Sequence, residues 1–83
     1  GSTVSLADAP QGSAYKVDRI PEEDPELLAF LIDHGVVPGA PVTVVEEGKY
    51  RGVLVFKTQS GESALGYEAA RFVWMRTPPN GED

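Results

Sequence analysis

The sequence contains no cysteine. Disulfide staples, thiolate zinc sites and cysteine nucleophiles are all excluded by that one absence. A small domain that does without disulfides is expected in the cytoplasm. Histidine is almost missing as well, His34 being the only one. One imidazole neither completes a metal site nor forms a catalytic triad without a nucleophile and an orienting acid. It lies at the predicted C-terminus of a helix, bordering the apolar stripe, and its role is read as structural. Long apolar runs are lacking: nothing approaches the ~18 residues of a membrane span, and the N-terminus has no secretory signal pattern. Membrane insertion is therefore not expected. Cations are few, 7 Lys and Arg against 13 Asp and Glu for a net charge of −6. They are spread thinly as Lys16, Arg19, Lys49, Arg51, Lys57, Arg71 and Arg76. Phosphate neutralisation needs a basic stripe, so direct nucleic-acid binding is not expected. No phosphate loop, dinucleotide fingerprint or nucleophile elbow occurs, and the chain does not read as an enzyme.

What is present fits one small globular domain. A chain of 83 residues buries roughly 60–65% of its unfolded surface in a single modest core. Gly1-Ser2 reads as the scar of a cleaved tag, and residues 1–12 as a flexible lead-in with Leu6 docking on the core. The folded unit is expected over 13–76, followed by a polar tail, 77–83. A first strand is expected from Ala14 to Ile20. A helix over 25–34 has strong signals: Asp24 as N-cap, Pro25 at the first helical position, and a stripe of Leu27, Leu28, Leu31 and Ile32. Gly35 stops it in a left-handed cap, and Pro38-Gly39 sets a type II turn. Strands follow at Pro41 to Glu46, Val53 to Lys57 and Ser63 to Leu65. A helical turn at Tyr67 to Ala70 precedes a closing strand at Arg71 to Met75. Five short strands separated by turns predict a mainly β fold, a small five-stranded barrel with the helix between its first two strands.

The run from Pro25 to Val44 joins a leucine-rich helix to Gly35-Val36-Val37-Pro38-Gly39 and a valine strand. The run from Ala64 to Met75 contains Leu65-Gly66, then Ala69 or Ala70, then Val73. Together they resemble the FeoA-like pattern, over roughly residues 6–76. The lead-in Glu22-Glu23-Asp24-Pro25-Glu26-Leu27-Leu28 looks most like the SH3-like C-terminal domain of the diphtheria-toxin-repressor (DtxR) family of metal-dependent transcriptional repressors. That resemblance implies an SH3-like barrel behind a DNA-binding and a dimerisation domain, in a homodimeric parent regulated by iron or manganese. It also implies a regulatory role through docking on other domains of the same chain or on a proline-rich linker. The alternative is a free-standing FeoA-like protein that assists ferrous-iron transport, and a weaker possibility is an adaptor for external peptides.

Two groups of residues are candidate sites. Glu22, Glu23, Asp24 and Glu26 are oxygen ligands suited to Fe²⁺ or Mn²⁺. In family members with an ancillary metal site, the domain lends an acid and a glutamine near the start of this helix. Asp24 stands for the acid; Leu27 stands near the glutamine and cannot ligate, which makes Glu26 the substitute. Helix capping and dipole compensation explain the same four acids without a metal. The second group is Tyr15, Tyr50, Tyr67 and Trp74, which as aromatics suit a groove for a proline-rich peptide. Aromatics in a small barrel also serve as core and rim. Lys49-Tyr50-Arg51 reads as the exposed tip of a hairpin.

Overall fold

A computed structural model of the chain describes residues 3–77. Gly1-Ser2 and residues 78–83, most of the expected tail, lie outside the described residues. The elements run β1 (Thr3–Ser5), β2 (Ala14–Arg19), α1 (Pro25–Asp33), β3 (Pro41–Glu46), β4 (Val53–Thr58), β5 (Gly61–Gly66), α2 (Tyr67–Ala70) and β6 (Trp74–Arg76). The mainly β fold is as expected. The strands form one antiparallel sheet of six, in the order β1-β6-β2-β3-β4-β5.

Two expectations are corrected. The sheet has six strands, not five, and is open: β1 and β5 are its outer strands. The extra strand comes from the supposed lead-in, where Thr3 pairs with Arg76 and Val4 with Met75. Leu6 is fully buried and its N–H donates to the Val73 carbonyl at 2.8 Å. The described part of the lead-in, residues 3–12, is thus held by main-chain pairing and apolar burial. β6 lies between β1 and β2, so the last strand fills a place between the first two.

Alternation along the strands builds the core. Val42 and Val44 on β3, Leu54 and Phe56 on β4, Val17 on β2 and Met75 on β6 all turn inward and are buried. Leu31 and Val36 close over them with Ala70 and Val73. Fully burying a side chain of this size contributes about 1.5–3 kcal/mol. Register shifts occur between Val17 and Arg19 and between Val44 and Glu46. Such bulges bend a strand and increase its twist, which curves the sheet around this core.

Helix α1 forms where the sequence signals it. Asp24 is extended at φ −115°, ψ 97°, and its carboxylate accepts from the Leu27 N–H at 3.2 Å, satisfying one of the free donors of the first turn. Leu27, Phe30 and Leu31 face the core. At the other end the Gly35 N–H donates to the Ile32 carbonyl at 3.1 Å and the Val36 N–H to the Leu31 carbonyl at 2.8 Å. That pairing is a Schellman cap, and Gly35 takes the left-handed conformation it needs, φ +83°. The Ala40 N–H closes the next turn on the Val37 carbonyl at 2.9 Å, with Gly39 at φ +89° as the type II geometry requires.

Candidate functional site

The bulge in β2 sets one wall of the site. Asp18 is the residue left without a partner between the pairs Val17–Met75 and Arg19–Trp74. Its carboxylate accepts from the Arg76 guanidinium at 3.0 Å, and the same nitrogen reaches the Val17 carbonyl at 3.4 Å. Beyond the bulge the chain leaves the sheet through Ile20 and Pro21, because proline cannot donate to a ladder. The opposite wall comes from the short link between α2 and β6. Phe72 follows α2 and stays 52% exposed, and Trp74 begins β6 and stays 36% exposed. Pro38, exposed in the type II turn, also lines the site.

Between these walls is an open hollow of about 490 Å³ lined by Asp18, Arg19, Ile20, Pro21, Glu22, Glu23, Pro38, Phe72 and Trp74. A second hollow of about 410 Å³ adjoins it, sharing Pro21, Glu23 and Phe72 and adding Asp24, Leu27, Glu68 and Ala69. The two form one groove with Phe72 at their junction. Phe72 and Trp74 stand exposed there beside Ile20, Pro21 and Pro38.

The groove is apolar below and acidic at its rim. Asp18 is engaged by Arg76 and lies 3.8 Å from Arg19. Glu22, Glu23, Asp24 and Glu68 take part in no ion pair among the described residues. Two of these acids have local main-chain roles, Glu23 accepting from the Glu22 N–H at 3.0 Å and Asp24 capping α1. The Arg71 guanidinium stands 5.3 Å from the centre of the Phe72 ring, a cation–π contact at the edge of the same surface.

The four aromatics expected to share a groove are dispersed. Trp74 lines it; Tyr15, Tyr50 and Tyr67 do not. Tyr15 packs against the core from β2, paired across with Val42. Tyr67 also packs against the core, and its hydroxyl accepts from the Gly48 N–H at 3.3 Å. Tyr50 is fully exposed on the β3–β4 loop. Beside it Arg51 pairs with Glu46 at 3.1 Å. Phe72 is the partner of Trp74 that sequence reasoning passed over. It falls in the closing strand expected over Arg71 to Met75, but which of Phe72 and Val73 faces outward depends on how β6, Trp74–Arg76, enters the sheet.

Asp24 and Glu26 both sit exposed on the first turn of α1. One oxygen of Asp24 is committed to the cap, and no group of three or more metal-binding side chains occurs among the described residues. Two carboxylates do not close the six-ligand sphere of a hard divalent ion. The described residues therefore do not fit a resident metal, and an ion held at this end needs ligands from outside the chain. His34 has a structural place, its carbonyl accepting from the Thr58 hydroxyl at 2.6 Å and its ring 4.3 Å from that of Phe30.

Fold and groove together define a small antiparallel β module with an SH3-like architecture and an open groove on its surface. The FeoA domain model matches residues 4–77, and the chain belongs to the FeoA domain family. Among curated proteins nothing matches. Among solved structures, a manganese-dependent transcriptional repressor is 23% identical with a TM-score of 0.83, over 90% of this chain and 41% of the repressor. The chain thus spans about two fifths of that protein. A structure described as an iron uptake regulatory protein, FeoA, is 24% identical with a TM-score of 0.78, over 90% of this chain and 96% of the other. The FeoA protein of Chlorobium tepidum is 16% identical with a TM-score of 0.82, over 95% and 74%. At these identities the likeness establishes the fold. No helix among the described residues is long and apolar enough to cross a membrane.

Proposed function

We propose that this chain is a non-catalytic regulatory domain of an iron- or manganese-dependent transcriptional repressor, acting in the cytoplasm by docking within its parent protein. The observation that carries this reading is the groove around Phe72 and Trp74, apolar at its floor and open to a partner. Docking of the groove on another domain, or on a proline-rich linker, biases the parent between inactive and DNA-competent states. The bias is limited by the difference in the groove's affinity for those two states. In the same reading Asp24 and Glu26 lend carboxylate oxygens to an ancillary metal whose remaining ligands belong to the parent.

A specific observation favours a second reading, a free-standing protein that assists ferrous-iron transport: the likeness covers 96% of a FeoA protein. An NMR titration of the chain with Mn²⁺, followed by a proline-rich peptide, tests the docking reading. Peptide-specific shifts at Phe72 and Trp74 are expected. Broadening confined to Asp24 and Glu26 at sub-millimolar Mn²⁺ supports the ancillary ligand role, and uniform broadening sinks it. Silence toward the peptide, with the fold intact, moves the weight to the transport reading.

A further inference from the structure

We propose that the groove selects a cationic apolar segment of a protein partner, one in which arginine stands beside bulky aliphatic or proline residues; this rests on the docking reading above. The groove offers Ile20, Pro21, Leu27, Pro38, Phe72 and Trp74 to apolar side chains. Its charged lining is Glu22, Glu23, Asp24 and Glu68, none of them ion-paired among the described residues, against one lining cation, Arg19, which lies 3.8 Å from Asp18. A partner that fills the floor brings its neighbouring side chains against this rim. A negative partner segment meets like charge there, and a neutral one desolvates carboxylates without return. A positive segment gains at both levels.

Guanidinium fits better than ammonium for two reasons visible at the site. The face of Phe72 already accepts the guanidinium of Arg71 at 5.3 Å, and the exposed indole of Trp74 is the stronger cation–π surface. Arginine also pairs with carboxylates through two parallel hydrogen bonds, where lysine offers a point charge. The other occupants fit less well. Phosphate-bearing nucleic acid and anionic lipid carry the charge of the rim itself. A bare divalent ion gains nothing from the apolar floor and finds no group of three ligands among the described residues. A second copy of this chain carries a net charge of −6, and the arginine of its exposed Lys49-Tyr50-Arg51 tip is already paired with Glu46.

Trp74 is the only tryptophan of the chain, so its fluorescence reports groove occupancy directly. The probe is a short synthetic peptide of leucine and proline carrying two arginines, compared with the same peptide in which citrulline replaces them. The arginine peptide is expected to shift Trp74 emission saturably, and citrulline to weaken binding roughly fivefold, as two partly exposed ion pairs warrant. Glu23→Gln with Glu68→Gln, both exposed positions, is expected to weaken the arginine peptide by a similar factor and leave the citrulline peptide unchanged. Phe72→Ser is expected to weaken both. Equal affinity for the two peptides overturns the charge selection and leaves the docking reading standing. Binding of neither, by a chain that still unfolds cooperatively, overturns the docking reading as well.

Discussion

Thr58 shows how a single polar atom ties distant parts of this chain together. It lies on the buried side of β4, donates its hydroxyl to the His34 carbonyl at the C-terminus of α1, and accepts from the Ser60 N–H at 3.1 Å. Thr58→Val keeps the volume and leaves two main-chain groups without partners. A loss of about 1–3 kcal/mol is expected, read as a lower urea midpoint at unchanged slope. Gly48 makes a different demand. A Cβ there falls on the Val53 carbonyl oxygen, which is backbone and cannot swing aside, and 2.7 Å from the Arg51 guanidinium. Gly48→Ala is expected to cost about 1–3 kcal/mol, and truncating Arg51 to relieve little of it, since the carbonyl stays in place. Thermal unfolding of the single and double variants checks this. At this scale the local devices were legible and the distant ones were not. Asp24, Pro25 and Gly35 announce themselves because their partners lie within five residues. Thr58 and His34 are separated by 24 positions, and nothing in the sequence around either one signals the bond.

Among the elements, α1 was the most legible because capping, dipole and apolar stripe agree on one answer. Its first turn also permits a clean separation of roles. Asn caps as well as Asp but carries no charge, so Asp24→Asn is expected to stay within about 0.5 kcal/mol of the parent sequence, whereas Asp24→Ala loses about 1 kcal/mol. Retained stability with lost Mn²⁺ broadening in Asp24→Asn assigns the carboxylate to metal donation; no difference in broadening leaves it as a cap. β1 was the least legible element. Three residues carry too little alternation to register, and the strand exists because β6 offers it a partner some seventy positions away in sequence. Its continuation anchors the core, so Leu6→Ala is expected to cost about 2–5 kcal/mol, a large share of the stability of a domain this small. A cost below 1 kcal/mol by chemical denaturation contradicts the burial of that side chain. The groove suffered in the same way: Pro38 and Trp74 were each visible, but their meeting with Pro21 depends on a bulge at Asp18 and on the late arrival of β6.

The whole molecule is organised by that late arrival. β6 pairs with β1 on one side and β2 on the other, so the last described strand lies beside the first and completes the inner part of the sheet. Val73 and Met75 are both fully buried, and Phe72 and Trp74 present the groove from the same segment. The segment that completes the sheet therefore also completes the groove. A chain ending after Ala70 lacks the pairing of β1, leaves an edge of β2 bare, and opens the core at two positions. It is expected to show no cooperative urea transition and no response of the groove to peptide. Covalent order matters much less than the presence of the strand. Thr3 faces Arg76 directly, so a short linker from Thr77 to Thr3 spans neighbouring positions, and new termini within the exposed Lys49-Tyr50-Arg51 loop cut no strand. This circular permutant is expected to unfold cooperatively and to retain the Trp74 response to the arginine peptide. A permutant that folds but loses that response shows instead that the β3–β4 loop, remote from Phe72 in sequence, takes part in docking.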